Sequence, residues 1–212
     1  MRDLPIFTTE YGVASLTLRD VPYLGTAYIK MQSTLEPQKF LEECISFCTA
    51  VGAERIYASG EKILEQYPFH TAIYRMQCRR ETVGDTDAAL WPVQENSSAE
   101  FRRIYNEKVR KLPNAAWMDS TEENKMLRSS EGYFVHRDGS VIGIGRVSRE
   151  SLRFLAAIQP GAGRDVVRAL SNAIIGDTID LEVASTNEKA LRLYRNLGFI
   201  ITNEISKWYC IK

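Results

Sequence analysis

The hydrophobic positions along the chain change period repeatedly, and each change predicts an element. Residues 5–9, 12–18 and 23–32 are rich in β-branched and aromatic side chains. They are broken by Glu10-Tyr11-Gly12 and Arg19-Asp20-Val21-Pro22, which predicts three short strands joined by tight turns. Over 36–51 the period becomes 3.6: Phe40, Leu41, Cys44, Ile45, Phe47 and Cys48 form one broad apolar stripe, so a helix is expected. A short strand over 55–58, a helix over 61–67 and a strand over 69–81 follow. The small polar stretch Gly84-Asp85-Thr86-Asp87 then reads as a boundary.

Past it, residues 89–94 read as a strand. Ser97-Ser98-Ala99-Glu100 has the pattern of a capping box opening a helix to Lys111, with Phe101, Ile104, Tyr105 and Val109 on its inner face and Pro113 beyond its end. A further helical segment starts at Ser120 or Thr121 and runs to Arg128. Residues 131–137 and 140–147 form a hairpin across Asp138-Gly139, whose residue types suit a two-residue turn with positive φ. Residues 200–211 are expected to form two closing strands that turn near Asn203-Glu204.

The rest of the chain is organised around 151–199. Residues 151–158 carry no charge after Arg153, as expected of a strand covered on both faces. Gln159-Pro160-Gly161-Ala162-Gly163-Arg164 then turns into a helix over 165–175. A strand over 179–184 and a helix over 187–197 follow, the latter stopped by Gly198-Phe199. A glycine turn feeding a helix leaves N–H groups unpaired at the positive end of the helix dipole, which favours phosphate oxygens. Arg164 can add a charge-assisted contact. Without an acidic residue in a ribose-binding position about 20 residues on, the turn does not suit a dinucleotide fold, because Asp180 lies inside the next strand.

Asn187, Ala190, Leu193, Tyr194, Leu197, Gly198 and Phe199 resemble the C-terminal motif of the GNAT acyltransferase superfamily, N-x-x-A-x-x-x-Y-x-x-x-G-F. Ala190, Leu193, Tyr194 and Leu197 share one helix face, and Gly198 suits a left-handed cap. The glycine turn resembles that family's pyrophosphate loop, with Gln159 one residue closer to Gly161 than is usual. The resemblance implies an α/β (α+β) fold with a GNAT-like mixed, mostly antiparallel twisted sheet flanked by helices. It also implies acetyl-CoA (CoA) as co-substrate, no metal, and transfer of an acetyl group to an amine, with a small-molecule amine as partner. By the same resemblance the cofactor arm lies along Phe154, Leu155, Ala156, Ala157 and Ile158. Gln159, Gly161, Ala162, Gly163 and Arg164 hold its pyrophosphate, Asn187 contacts the arm, and Tyr194 protonates the departing thiolate. For the base, Glu182, Glu150 and His136 stay open, with Glu182 nearest the expected gap.

The order strand, strand, strand, helix, strand, helix, strand over 5–81 repeats that of the C-terminal part, and 56–69 echoes 181–199 with gaps. The chain therefore divides, on sequence, into a degenerate partial GNAT-like domain over 1–84 and a GNAT acyltransferase domain over 85–212. In the first, Ser33-Thr34-Leu35-Glu36-Pro37-Gln38 replaces the glycine turn. Proline removes a donor and the carboxylate opposes a diphosphate, so one acetyl-CoA per chain is expected. A non-catalytic CoA-binding module, with the first half serving association or regulation, is the alternative.

Composition narrows the partners. Lysine plus arginine and aspartate plus glutamate are balanced at 27 each, which favours neither nucleic acid nor an anionic membrane. No apolar run approaches the ~20 residues of a spanning helix, and the N-terminus lacks the order of a signal peptide, so a cytoplasmic protein is expected. The four cysteines and two histidines have no metal-ligand spacing. A homodimer is left open.

Overall fold

A computed structural model of the chain describes residues 5–212. They fall into two compact units: the chain up to Ala72 together with Ile205–Lys212, and Ile73–Glu204.

In the first unit, β1 (Ile6–Thr9), β2 (Gly12–Thr17) and β3 (Thr26–Thr34) are antiparallel neighbours, and β3 pairs in parallel with β4 (Arg55–Ser59). The strand expected from Tyr23 starts later. Pro22 sits in the first turn of the short helix α1 (Val21–Leu24), and Gly25, at φ +63°, closes it. The crossover from β3 to β4 is α2 (Pro37–Ala50), which buries Phe40, Leu41, Cys44 and Cys48 against Ala14, Leu16, Ile29 and Ile56. The helix expected over 61–67 is a 3₁₀ turn, Lys62–Gln66, cut short by Pro68 with Tyr67 already extended.

The second unit has the strand order β5 (Phe69–Arg79), β10 (Thr178–Ala184), β9 (Ser151–Ala157), β8 (Ser140–Val147), β7 (Gly132–Arg137), β6 (Ala89–Pro92). All neighbours are antiparallel except β9 and β10. Fold class and strand polarity are those implied by the GNAT resemblance. One face packs a core against α6 (Gly163–Ser171) and α7 (Glu188–Asn196). The other packs against α4 (Glu95–Val109) and α5 (Ser120–Ser129) through Phe101, Tyr105, Met126 and Phe134. The α4 helix begins two residues before the expected capping box. Gln94 is its N-cap and Ser97 the reciprocal partner, so the serine caps from the third position. Asp138 and Gly139, at φ +50° and +75°, make the expected β7–β8 turn. The α6 helix ends at Ser171 instead of 175, its chain held by Ile175 N–H donating to Arg149 C=O at 3.1 Å.

The boundary expected at Gly84 falls inside the second unit. After the 3₁₀ turn the chain leaves the first unit within β5, whose Ile73–Arg79 pairs with β10 while Cys78 and, in α3 (Arg80–Val83), Val83 join that unit's core. In return, β11 (Ile200–Cys210) brings Tyr209 and Cys210 alongside Ala58 and Tyr57 of β4. Each half of the sequence thus gives its last strand to the other unit. The two closing strands expected over 200–211 are accordingly one continuous strand, since β11 runs from one unit into the other without a turn.

Candidate active site

The parallel ladder between β9 and β10 is two residues long. Ser151 pairs with Asp180 and Leu152 with Leu181, and there it stops, although β9 continues to Ala157 and β10 to Ala184. On its other edge β9 stays paired with β8 as far as Ala157, which faces Gly143. The cause is visible in that second ladder. Arg146 faces Phe154 and Val147 faces Leu152, so Arg153 is an extra, bulged residue. A bulge bends its strand and raises its twist, and this one sits one residue past the last β9–β10 pair. Beyond it, Phe154, Ala156 and Ile158 pack toward α4, and Leu155 and Ala157 toward α6. Both faces are covered, as expected, yet all five residues remain half-buried. Beyond Leu152 the β10-side edge of β9 forms no ladder pair, which leaves its backbone groups open to another partner.

At the end of β9 the chain turns through Gln159–Ala162 into α6. Gly161 has φ +83°, and a side chain there would meet no atom within 4 Å. The first helical bond runs from Val166 N–H to Ala162 C=O at 3.0 Å, so the amides of Gly163, Arg164 and Asp165 precede it. Ala162 is buried and anchors the turn, while Gly161 and Arg164 are exposed. Asp165 in this turn is not a bare charge: Arg137 holds it at 2.6 Å. The helix lies tight on the sheet because β8 offers glycines beneath it. A Cβ on Gly143 would stand 2.3 Å from Val166 Cγ2, and one on Gly145 2.2 Å from Leu170 Cδ1.

The α7 helix closes the arrangement. The Asn187 carboxamide oxygen accepts from Ala190 N–H at 3.3 Å, which makes Asn187 the N-cap. At the other end Phe199 N–H reaches Tyr194 C=O and Gly198 N–H reaches Arg195 C=O, with Gly198 at φ +89°. That is a Schellman cap. Leu193 Cδ2 lies 3.2 Å from where a Gly163 side chain would begin, so α7 abuts the start of α6. Tyr194 is buried beside Phe199, ring centroids 5.7 Å apart. Burial pushes its phenol well above the ordinary value, so it stays protonated at neutral pH.

Beside the point where β9 and β10 part lies a shallow cavity of about 670 Å³. Met76, Leu152 and Leu181 face the core, so the alternate positions face this cavity: Arg75 and Gln77 on β5, Asp180 and Glu182 on β10. Arg149, Glu150 and the bulged Arg153 complete it. Glu182 is exposed and ion-paired with Arg75 at 3.6 Å, and Asp180 accepts from Gln77 at 2.6 Å. The third sequence candidate for a base, His136, is elsewhere. It stands on β7, with β8 between it and β9, stacked on Trp91 at 3.7 Å between centroids, and burial lowers its pKa. Sequence reasoning found no specificity pocket and missed Arg75, Arg149, Arg153 and Asp180. Their signal was the every-other-residue polar pattern at 149, 151, 153 and at 180, 182 inside apolar strands. Arg75 and Gln77 alternate in the same way on β5, but that pattern does not say which strand they come to lie beside.

The first unit has a matching crossover without a gap. All five residues of β4 pair with β3, from Thr26↔Arg55 to Lys30↔Ser59. Glu36, at the N-cap of α2, is engaged by Lys39 at 2.6 Å, and Pro37 follows it. Among the described residues no cluster could hold a metal ion, and no helix is long and apolar enough to cross a membrane.

An acetyltransferase of the GNAT family from Colwellia psychrerythraea superposes with a TM-score of 0.52 at 11% identity, over 98% of this chain and 84% of that one. The chain has a GNAT-like fold. A tandem GNAT protein from the clavulanic acid biosynthesis pathway matches with a TM-score of 0.53 at 9% identity, over 94% of this chain and 78% of that one. A functionally unknown conserved protein from Staphylococcus epidermidis reaches 0.62 at 11% identity, over 99% and 94% of the two chains. No protein-family profile and no curated protein matches the sequence.

Proposed function

We infer that this GNAT-like chain is an acetyl-CoA-dependent N-acetyltransferase with a single acyl-CoA site, in the second unit. The observation that carries this is the two-residue β9–β10 ladder, opened by a bulge and leading directly into a glycine turn. The residues present fit the co-substrate. The free edge of Phe154–Ala157 suits the amides of a pantetheine arm lying as an added strand. Gly161, Gly163 and Arg164 suit a diphosphate at the start of α6. Bound there, acetyl-CoA supplies an acyl thioester. The backbone N–H groups of β9 polarise the carbonyl as negative charge builds on its oxygen. Tyr194 Oη keeps its proton through the neutral range and delivers it to the leaving sulfur. Glu182 takes the proton of the substrate ammonium once its exposed pair with Arg75 loosens.

The closed β3–β4 ladder and the Glu36-Pro37 helix start support the first unit as a structural partner without acetyl-CoA. The likeness to a tandem GNAT protein supports reading the chain as two related halves. The engagement of Glu182 with Arg75 favours a second reading, a CoA-binding protein without turnover. Calorimetric titration with acetyl-CoA, followed by thiol release across a panel of amines, separates them. One acetyl-CoA per chain with amine-dependent thiol release is expected. Binding without release for any amine selects the second reading, and no binding, or two molecules per chain, overturns the first.

A further inference from the structure

We propose that the cavity at the mouth of the β9–β10 gap receives the acceptor as a zwitterion: a primary amine carrying a carboxylate, of the size of a free amino acid. This rests on the acetyltransferase reading and names the substrate class of that site. The cavity places three arginines, Arg75, Arg149 and Arg153, against three carboxylates, Glu150, Asp180 and Glu182. A diamine would meet three like charges, and so would a dicarboxylate. A molecule with one charge of each sign meets both sets with complementary groups.

The arrangement also has a direction. Glu182 and Arg153 are the first residues beyond the last ladder pair on β10 and β9. In a closed parallel ladder they would be cross-strand neighbours, yet Glu182 takes Arg75 instead. The bulge takes Arg153 out of the ladder register, and Arg153 lines the cavity together with Arg149. Neither Arg149 nor Arg153 has a carboxylate partner among the described residues. Two unpaired guanidiniums on the β9 side form a fork for a carboxylate. Glu182, on the β10 side and at the mouth of the gap, takes the ammonium, which puts the amine beside the position of the thioester. In the transfer, the amine nitrogen bonds to the acetyl carbon as the C–S bond breaks. Glu182 first takes one proton of the ammonium to leave a neutral nucleophile; Tyr194 then gives its proton to sulfur, and the second proton shed by the nitrogen restores the Tyr194 hydroxyl.

Binding of free L-amino acids to the whole chain, without acetyl-CoA, is measured by saturation-transfer NMR against the matching L-amino acid amides. The amides keep the α-amine and side chain and lose only the carboxylate charge. At least one amino acid should bind about tenfold or more tightly than its amide, the scale of a charge-assisted contact. The double variant Arg149→Gln/Arg153→Gln should lose that preference while its melting curve and acetyl-CoA affinity stay those of the parent. Equal or tighter binding of every amide, or a preference untouched in the double variant, overturns the proposal. Acetyl-CoA binding is titrated separately, so a chain that binds acetyl-CoA but prefers amides keeps the acetyltransferase reading and loses this one.

Discussion

Gly143 on β8 is the seat of α6, and filling it should unseat the helix that carries the glycine turn. In Gly143→Ala the new methyl would stand 2.3 Å from Val166 Cγ2 and 3.0 Å from both Val166 Cγ1 and the Ala156 carbonyl oxygen. Carbon atoms rest about 3.5–4.0 Å apart, so more than an ångström must be found. Val166 cannot rotate away cheaply, because a β-branched side chain in a helix has one preferred rotamer. The carbonyl is backbone, on the strand that would line the thioester. The relief therefore has to come from α6 lifting off the sheet. Overpacking of this kind costs about 1–3 kcal/mol, and in a chain of this size each kcal/mol lowers Tm by roughly 2–4 °C. A thermal melt should show a fall of about 3–10 °C for the unit containing Gly143. Acetyl-CoA affinity should fall with it, as the Gly163–Asp165 amides move with the helix. Val166→Ala removes both methyls that the added side chain would strike, so the double variant should be more stable than the sum of the two single effects predicts, by about 1 kcal/mol or more. A Gly143→Ala protein melting within about 1 °C of the parent, or a strictly additive double variant, would refute this account of how α6 is placed.

The other expectations concern single groups. Tyr194→Phe should lower turnover by about 10²-fold while leaving acetyl-CoA affinity nearly unchanged, since the hydroxyl acts only as the C–S bond breaks; equal turnover with chemistry rate-limiting would reduce Tyr194 to packing. The buried Asn106 carboxamide bonds both Met118 C=O and Met118 N–H at 2.9 Å. Asn106→Ala should therefore cost about 2–3 kcal/mol in a denaturant titration, and a loss below about 0.5 kcal/mol would show that the segment after α4 is held otherwise. Burial raises the thiol pKa of Cys44 and Cys78 to about 12 and of Cys48 to about 11, Cys48 and Glu43 adding to the effect at Cys44. The native protein should expose only Cys210 to an aromatic disulfide reagent at mildly alkaline pH, and all four thiols once denatured. These thiols ionise first in the unfolded chain, so their contribution is complete below pH ~8.5 and is lost as pH rises toward 11–12. A denaturation midpoint that climbs over that range would contradict the sign.

Much of the architecture is local, and local rules reach it. The α7 helix is legible from Asn187 to Gly198 because its cap, its apolar face and its glycine stop lie within twelve consecutive residues. The Asp138-Gly139 hairpin and the glycine turn before α6 are equally short-range. The 3₁₀ turn over Lys62–Gln66 passes for a full helix because Leu64 and its neighbours fit the pattern, although Pro68 denies Tyr67 a helical backbone. The larger departures, the unit boundary and the single strand β11, arise where a neighbour in space decides the outcome.

Local patterns reach most of the helices and strands, the chemistry of the turn and the contrast between Gly161-Ala162-Gly163 and Leu35-Glu36-Pro37. Which strands pair is settled only in the folded chain. The β5–β10 ladder joins residues about a hundred positions apart, as in Gln77 with Asp180 and Arg75 with Glu182. No periodicity within either strand encodes that choice, since both alternate apolar and polar residues and would accept many partners. The same holds for the gap. A bulge at Arg153 is a one-residue shift within the β8–β9 ladder, and it exists only once those two strands pair.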